Sequence, residues 1–167
     1  FLLNEQQDQA IDAFIEAVQN DPDTSELHFA LGNLFRRRGE YERAVRVHEH
    51  LLSRADLSKT DRERAQHALA QDFLKAGLID RAEDALHKLA GTRYQGQAWL
   101  TLLSLHERAR DWPQAAEIAR KLQETGAGDF SPRLSHYQCE LAANALSKKK
   151  DPLEARQLLQ DAIRDAP

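Results

Sequence analysis

Gly39-Glu40-Tyr41-Glu42-Arg43-Ala44 returns as Gly77-Leu78-Ile79-Asp80-Arg81-Ala82. Fainter echoes are Arg110-Asp111-Trp112-Pro113-Gln114-Ala115 and Lys150-Asp151-Pro152-Leu153-Glu154-Ala155, and an earlier copy, Glu5-Gln6-Gln7-Asp8-Gln9-Ala10, closes at Ala10. The closing residues Ala10, Ala44, Ala82, Ala115 and Ala155 are separated by 34, 38, 33 and 40 residues. A recurrence of about 20–50 residues marks an array of stacked supersecondary units, each too small to bury its apolar face alone. Composition decides the kind of unit. The 167 residues include 25 Ala and 24 Leu against 3 Val, 5 Ile and 5 Thr, which favours helices and argues against sheets.

The spacing is that of tetratricopeptide repeats, and it predicts an all-α, right-handed solenoid of antiparallel helix pairs. We read one continuous domain over residues 1–167, with copies at about 1–24, 25–58, 63–95, 96–128 and 136–167. The second copy fits best. Leu31, Gly32 and Phe35 fall on its leading helix, Gly39 and Tyr41 at the turn, Ala44 and Leu51 on its trailing helix. Gly32 and Ala44 are small enough for two helices to approach closely, and Gly39 suits a helix C-terminus that needs positive φ. Tyr41 is expected in the wedge between hairpins. Pro22 and Pro167 each stand 12 residues after a repeat alanine, where a proline ends the trailing helix. His106 replaces the usual aromatic of the fourth copy, and extra residues at 53–60, with Ser58 or Thr60 as a cap, lengthen one connection.

Several chemistries are disfavoured. The single Cys139 cannot form an internal disulfide, and on a helix it is expected to pack as a small apolar group. A net charge of −4 gives no global field for nucleic acid, which counts against an RNA-binding repeat. No window approaches about 18 uninterrupted apolar residues, so nothing reads as a membrane span. The chain opens at Phe1-Leu2-Leu3 and reads as a piece of something longer. His48-Glu49-His50 and His106-Glu107 begin like a zinc-protease helix, but neither has a second histidine at the required spacing. His48 and His50 point to different sides of a helix and are expected at the surface or groove. Gly126-Ala127-Gly128 lacks the Gly-Lys-Ser/Thr of a phosphate cradle, and neighbouring acids such as Glu83-Asp84 suit helix starts. Nothing argues for catalysis.

The architecture offers binding instead. In a stack of hairpins the leading helices line the inner surface. The register puts Phe29, Asn33, Arg36 and Arg37 there from the second copy, and His67, Gln71, Leu74 and Lys75 from the third. The fourth contributes Leu100, Ser104, Glu107 and Arg108, and the fifth Tyr137, Glu140, Asn144 and Lys148. Asn, Gln and Ser one turn from basic residues suit a peptide backbone together with a carboxylate. Phe29 stands where a clamp for a C-terminal carboxylate would need lysine, which argues against that ligand. Arg36-Arg37-Arg38 and Lys148-Lys149-Lys150 complement helix C-termini, with a lipid headgroup as the other reading. Charge reversal at Arg36 and Arg37 is expected to weaken capture of a partner with helicity intact. Asp80 is expected to cap a trailing helix, and Asp80-Arg81 to couple neighbouring copies.

Residues 32–48, from Gly32-Asn33-Leu34-Phe35-Arg36-Arg37-Arg38-Gly39-Glu40 through Ala44-Val45-Arg46-Val47-His48, go beyond generic repeat consensus. So do Gln71-Asp72-Phe73, Gly77 through Asp84, His136 through Leu141 and Phe1 through Asp8. They resemble the repeats of the lipopolysaccharide assembly protein B family of Gram-negative bacteria. That resemblance implies a non-enzymatic adaptor on the cytoplasmic side of the inner membrane. Its implied role is to promote degradation of the lipid A pathway deacetylase by the membrane protease FtsH and to scaffold lipopolysaccharide assembly proteins. It also implies an N-terminal membrane helix and a C-terminal rubredoxin-like metal domain. This sequence contains neither, so no cofactor is expected on its residues. A homodimer is compatible with the repeats. The rival readings are a generic repeat protein of assembly or secretion binding a different peptide, and a metal-dependent regulator acting through histidines.

Overall fold

The computed structural model describes residues 2–20, 25–147 and 152–165. All the described regular structure is helical. The helices are α1 (Leu2–Asn20), α2 (Ser25–Arg37), α3 (Tyr41–Ser53), α4 (Lys59–Ala76), α5 (Ile79–His87), α6 (Gln95–Arg108), α7 (Trp112–Glu124), α8 (Ser131–Ser147) and α9 (Pro152–Asp165). Helix α1 is the trailing helix of the first copy, and α2/α3, α4/α5, α6/α7 and α8/α9 are the hairpins of the rest. The repeat spacing therefore yields the helix pairs it predicts. Pro22, Pro167 and Lys148 through Lys150 lie outside the described residues.

The chain forms two compact units, Phe1–Arg93 and Tyr94–Pro167. In the first, Ile11, Leu31, Phe35 and Ala44 bury together, with Phe14, Ile15, Leu34 and Val47 packed against them. A second cluster joins Phe29 and Leu51 to Leu57 and Ala65. Leu57 comes from the extra residues between copies two and three, so the insertion closes over the start of α2. In the second unit Leu102, Leu103, Ile118, Leu122, Tyr137 and Ala162 are buried, and the Ser135 hydroxyl donates to the Ala162 carbonyl at 3.0 Å, tying α8 to α9.

Turn chemistry follows the sequence pattern at most helix ends and departs from it at two, after α6 and before α5. Gly39 and Gly77 close α2 and α4 at φ of +80° and +75°. At the equivalent place after α6 stands Arg110, at φ +54°, a conformation that costs a side-chain-bearing residue about 1 kcal/mol. Ser58 caps α4 by accepting from the Asp61 N–H. The N-terminal boundary of α5 is Leu78, with no side-chain cap, and Asp80 lies inside the helix, so the expected Asp80 cap is not made. The wedge beside Tyr41 is a cavity of about 700 Å³ floored by Phe73 and bordered by Leu78 and Arg81.

Candidate functional site

Helices α2, α3 and α4 meet over a buried polar core. Asp72 of α4 and His48 of α3 are both fully buried, and the His48 Nδ1 meets the Asp72 Oδ2. The other carboxylate oxygen accepts from Arg36 Nη1 of α2 at 3.1 Å, and the same Nη1 donates to the Ala68 carbonyl at 3.1 Å. Arg36 Nη2 donates to Asn33 Oδ1 at 2.8 Å. A carboxylate held by a guanidinium accepts, so the His48 Nδ1 carries the hydrogen. Its Nε2, without a partner among the described residues, lies against Gly32, where an added Cβ would be 2.7 Å from the ring Cε1.

This network couples copy two to copy three, the role the sequence suggested for Asp80 and Arg81. Arg81 sits over Phe73 of its own hairpin, 5.9 Å from the ring centre, and lines the cleft that it shares with Tyr41 and Glu42 of copy two, while Asp80 is exposed. His48, expected at the surface or groove, is in the core. His50 is exposed and stacks on His28 at 5.8 Å, so the two histidines do diverge.

The groove candidates separate by environment. Phe29 is a core residue, 1% exposed and covered by the Arg64 guanidinium at 4.1 Å, because the 54–58 connection folds over it. It is not a contact surface. Arg36 is a strut between helices. Asn33, His67, Gln71 and Leu74 are half-buried, while Arg37 and Lys75 are exposed. Arg37 lies one turn beyond Asn33, and Lys75 one turn beyond Gln71, so each pair shares a helix face. Burial, and next the charge of Arg36, push the His67 imidazole below its ordinary pKa.

In the second unit the Tyr137 hydroxyl donates to the Glu107 carboxylate across α6 and α8. Trp112 stacks on Tyr137 at 5.7 Å, and Arg133 lies 4.0 Å from Glu107. Tyr137 is therefore buried rather than groove-facing, and burial followed by Glu107 holds its phenol well above the usual tyrosine pKa. Glu107 and Arg36 each stand eight residues before a repeat alanine, and each crosses to the next leading helix. Leu100 and Arg108 are exposed, Ser104 is half-buried, and Glu140 lies 3.9 Å from His136. Asn144 borders a separate cavity of about 330 Å³ with Trp112 and Glu154. Lys148 is outside the described residues. Cys139 is exposed, not packed as expected.

Histidine–carboxylate pairs among the described residues include Glu83–His87 at 3.8 Å and His106–Asp111 at 3.8 Å. No described helix is long and apolar enough to cross a membrane.

Comparison with known proteins agrees with this organisation. Tetratricopeptide-repeat family models match residues 27–63 and 67–132. Lipopolysaccharide assembly protein B of Escherichia coli K12 is 39% identical over 85% of this chain and 37% of its own length. The Haemophilus influenzae protein of that name is 30% identical over 100% of this chain and 44% of its own length. The chain thus spans about two fifths of the curated relatives it matches. The crystal structure of MamA, 18% identical with a TM-score of 0.55, covers 95% of this chain and 87% of its own and shares the fold. The chain therefore belongs to the tetratricopeptide-repeat family, and its repeats are similar to those of lipopolysaccharide assembly protein B.

Proposed function

We propose that this chain is a non-enzymatic adaptor in lipopolysaccharide regulation that binds the lipid A pathway deacetylase, the protease FtsH, or both, at the cytoplasmic face of the inner membrane. One observation carries the reading. Arg36 bridges α2 and α4, so the two leading helices form one rigid face bearing Asn33, Arg37, His67, Gln71 and Lys75. A rigid surface with half-buried amides and exposed cations suits an extended peptide segment carrying carboxylates. Its effect would be proximity. Two partners held on one scaffold raise each other's effective concentration without bond chemistry, and no resident cofactor takes part.

The test is titration of the purified deacetylase onto the immobilised chain. Saturable binding is expected, weakened about tenfold or more by the double variant R37E/K75E, whose substitutions lie at exposed sites. Absence of binding, or affinity unchanged in that variant, would overturn the proposal.

A further inference from the structure

We infer that Asp72, although out of reach of any ligand, is the positioning residue that sets the hydrogen-bond polarity of the α2/α4 face. This rests on the reading of that face as a binding surface. The argument is one of donor and acceptor capacity. Asp72 has two carboxylate oxygens, one taken by His48 Nδ1 and the other by Arg36 Nη1. Arginine only donates. Held by Asp72 and by the Ala68 carbonyl, Arg36 turns its Nη2 onto Asn33, and that contact must be to the amide oxygen. The orientation of the Asn33 amide is thereby decided two links away, by the charge at position 72.

With one lone pair of Oδ1 taken by Arg36, Asn33 offers its two N–H donors and a single remaining lone pair. Arg37, one turn beyond Asn33, and Lys75, one turn beyond Gln71, are exposed and also only donate. The face therefore selects for acceptors, namely main-chain carbonyls and carboxylates. A segment that presents an amine there meets like charges, and the acceptors open to it are only the second lone pair of Asn33 Oδ1 and the Gln71 amide oxygen. In the absence of Asp72, Arg36 loses its charged anchor and keeps only the Ala68 carbonyl, so its hold on the Asn33 amide, and with it the selectivity, relaxes.

Charge alone gives the opposite expectation. Asp72→Asn deletes a negative charge, and by Coulomb's law should strengthen binding of an acid. The positioning account has it weaken that binding, and the two are separable.

The experiment is NMR titration of the isotope-labelled chain with acetyl-tetraglutamate-amide, and in parallel acetyl-tetralysine-amide. The expected result is a saturable shift of the Asn33 side-chain NH2 signals with the glutamate probe and none with the lysine probe. Asn33→Leu, which removes the donors and adds no charge, should cut glutamate-probe affinity about tenfold. D72N should cut it about threefold or more and broaden or move the Arg36 Nε–H signal. Should D72N fail to fold, Arg36→Lys, which keeps the charge but breaks the same chain of contacts, is titrated in its place with the same threefold loss expected, and unchanged affinity there would overturn the inference. Unmoved Asn33 signals, unchanged affinity in Asn33→Leu, or tighter acid binding by a folded D72N would each overturn the inference. If the deacetylase nevertheless binds and R37E/K75E weakens it, the adaptor reading survives this failure; if it does not bind, both fall.

Discussion

The Asp72 carboxylate and the His48 imidazole meet where neither side chain is exposed, and they belong to different copies of the repeat. Removing one member of a buried pair leaves the other desolvated and without its partner, typically at a cost of about 3–5 kcal/mol. D72A should therefore lower stability by about 3 kcal/mol, read as a reduced midpoint in urea melts followed by circular dichroism. A change below about 0.5 kcal/mol would show that the pair contributes little to cohesion between the copies.

Arg36 and Arg37 are neighbours in a run of three arginines, but they do different work. The first is bonded to Asp72, Asn33 and Ala68, and the second is exposed. R36A should destabilise by about 2 kcal/mol, whereas R37A should stay within about 0.5 kcal/mol of the parent. Parallel thermal melts check this. The expectation that charge reversal at both leaves the helices intact is accordingly narrowed to Arg37.

Gly32 is a further test of the same core. In an ordinary helix interior Gly→Ala gains up to about 1 kcal/mol. Here the added methyl would overlap the His48 ring, and overpacking of that kind costs about 1–3 kcal/mol. G32A should be destabilising alone and stabilising in an H48A background. A double-mutant cycle measures the coupling, and additive values would refute the packing explanation.

His67 gives the pH dependence. Burial and the charge of Arg36 lower its pKa in the folded chain from the ordinary 6.5. Between the folded value and 6.5 the unfolded chain binds a proton that the folded chain does not, so stability increases with pH through that window and declines as pH falls below about 6.5. Denaturant midpoints between pH 7.5 and 5.5 should decline more steeply for the parent than for H67Q. Equal slopes would remove His67 from the account.

The repeat register was readable because small residues and turns recur locally. Ala44, Ala82 and Ala115 are all fully buried, and Gly39 and Gly77 adopt the positive φ foreseen or required at helix ends. The wiring between copies was not readable. His48 and Asp72 lie 24 residues apart on different hairpins, and no periodic signal marks which acid meets which histidine. Helical spacing alone puts Phe29 in line with Asn33. Only the tertiary course of the 54–58 connection, with Leu57, shows that this end of the face is covered. Tyr137 is a similar case, since Trp112 from the preceding hairpin closes over it.

The claim that the α2/α4 face meets the partner is tested most directly by photo-crosslinking in cells. A photoreactive amino acid would be placed in turn at Arg37, at Lys75, and at the exposed Arg46 on the trailing helix α3. The account predicts crosslinks to the deacetylase or to FtsH from 37 and 75 and none from 46. Crosslinks to those proteins from position 46 alone, or from none of the three, would contradict it.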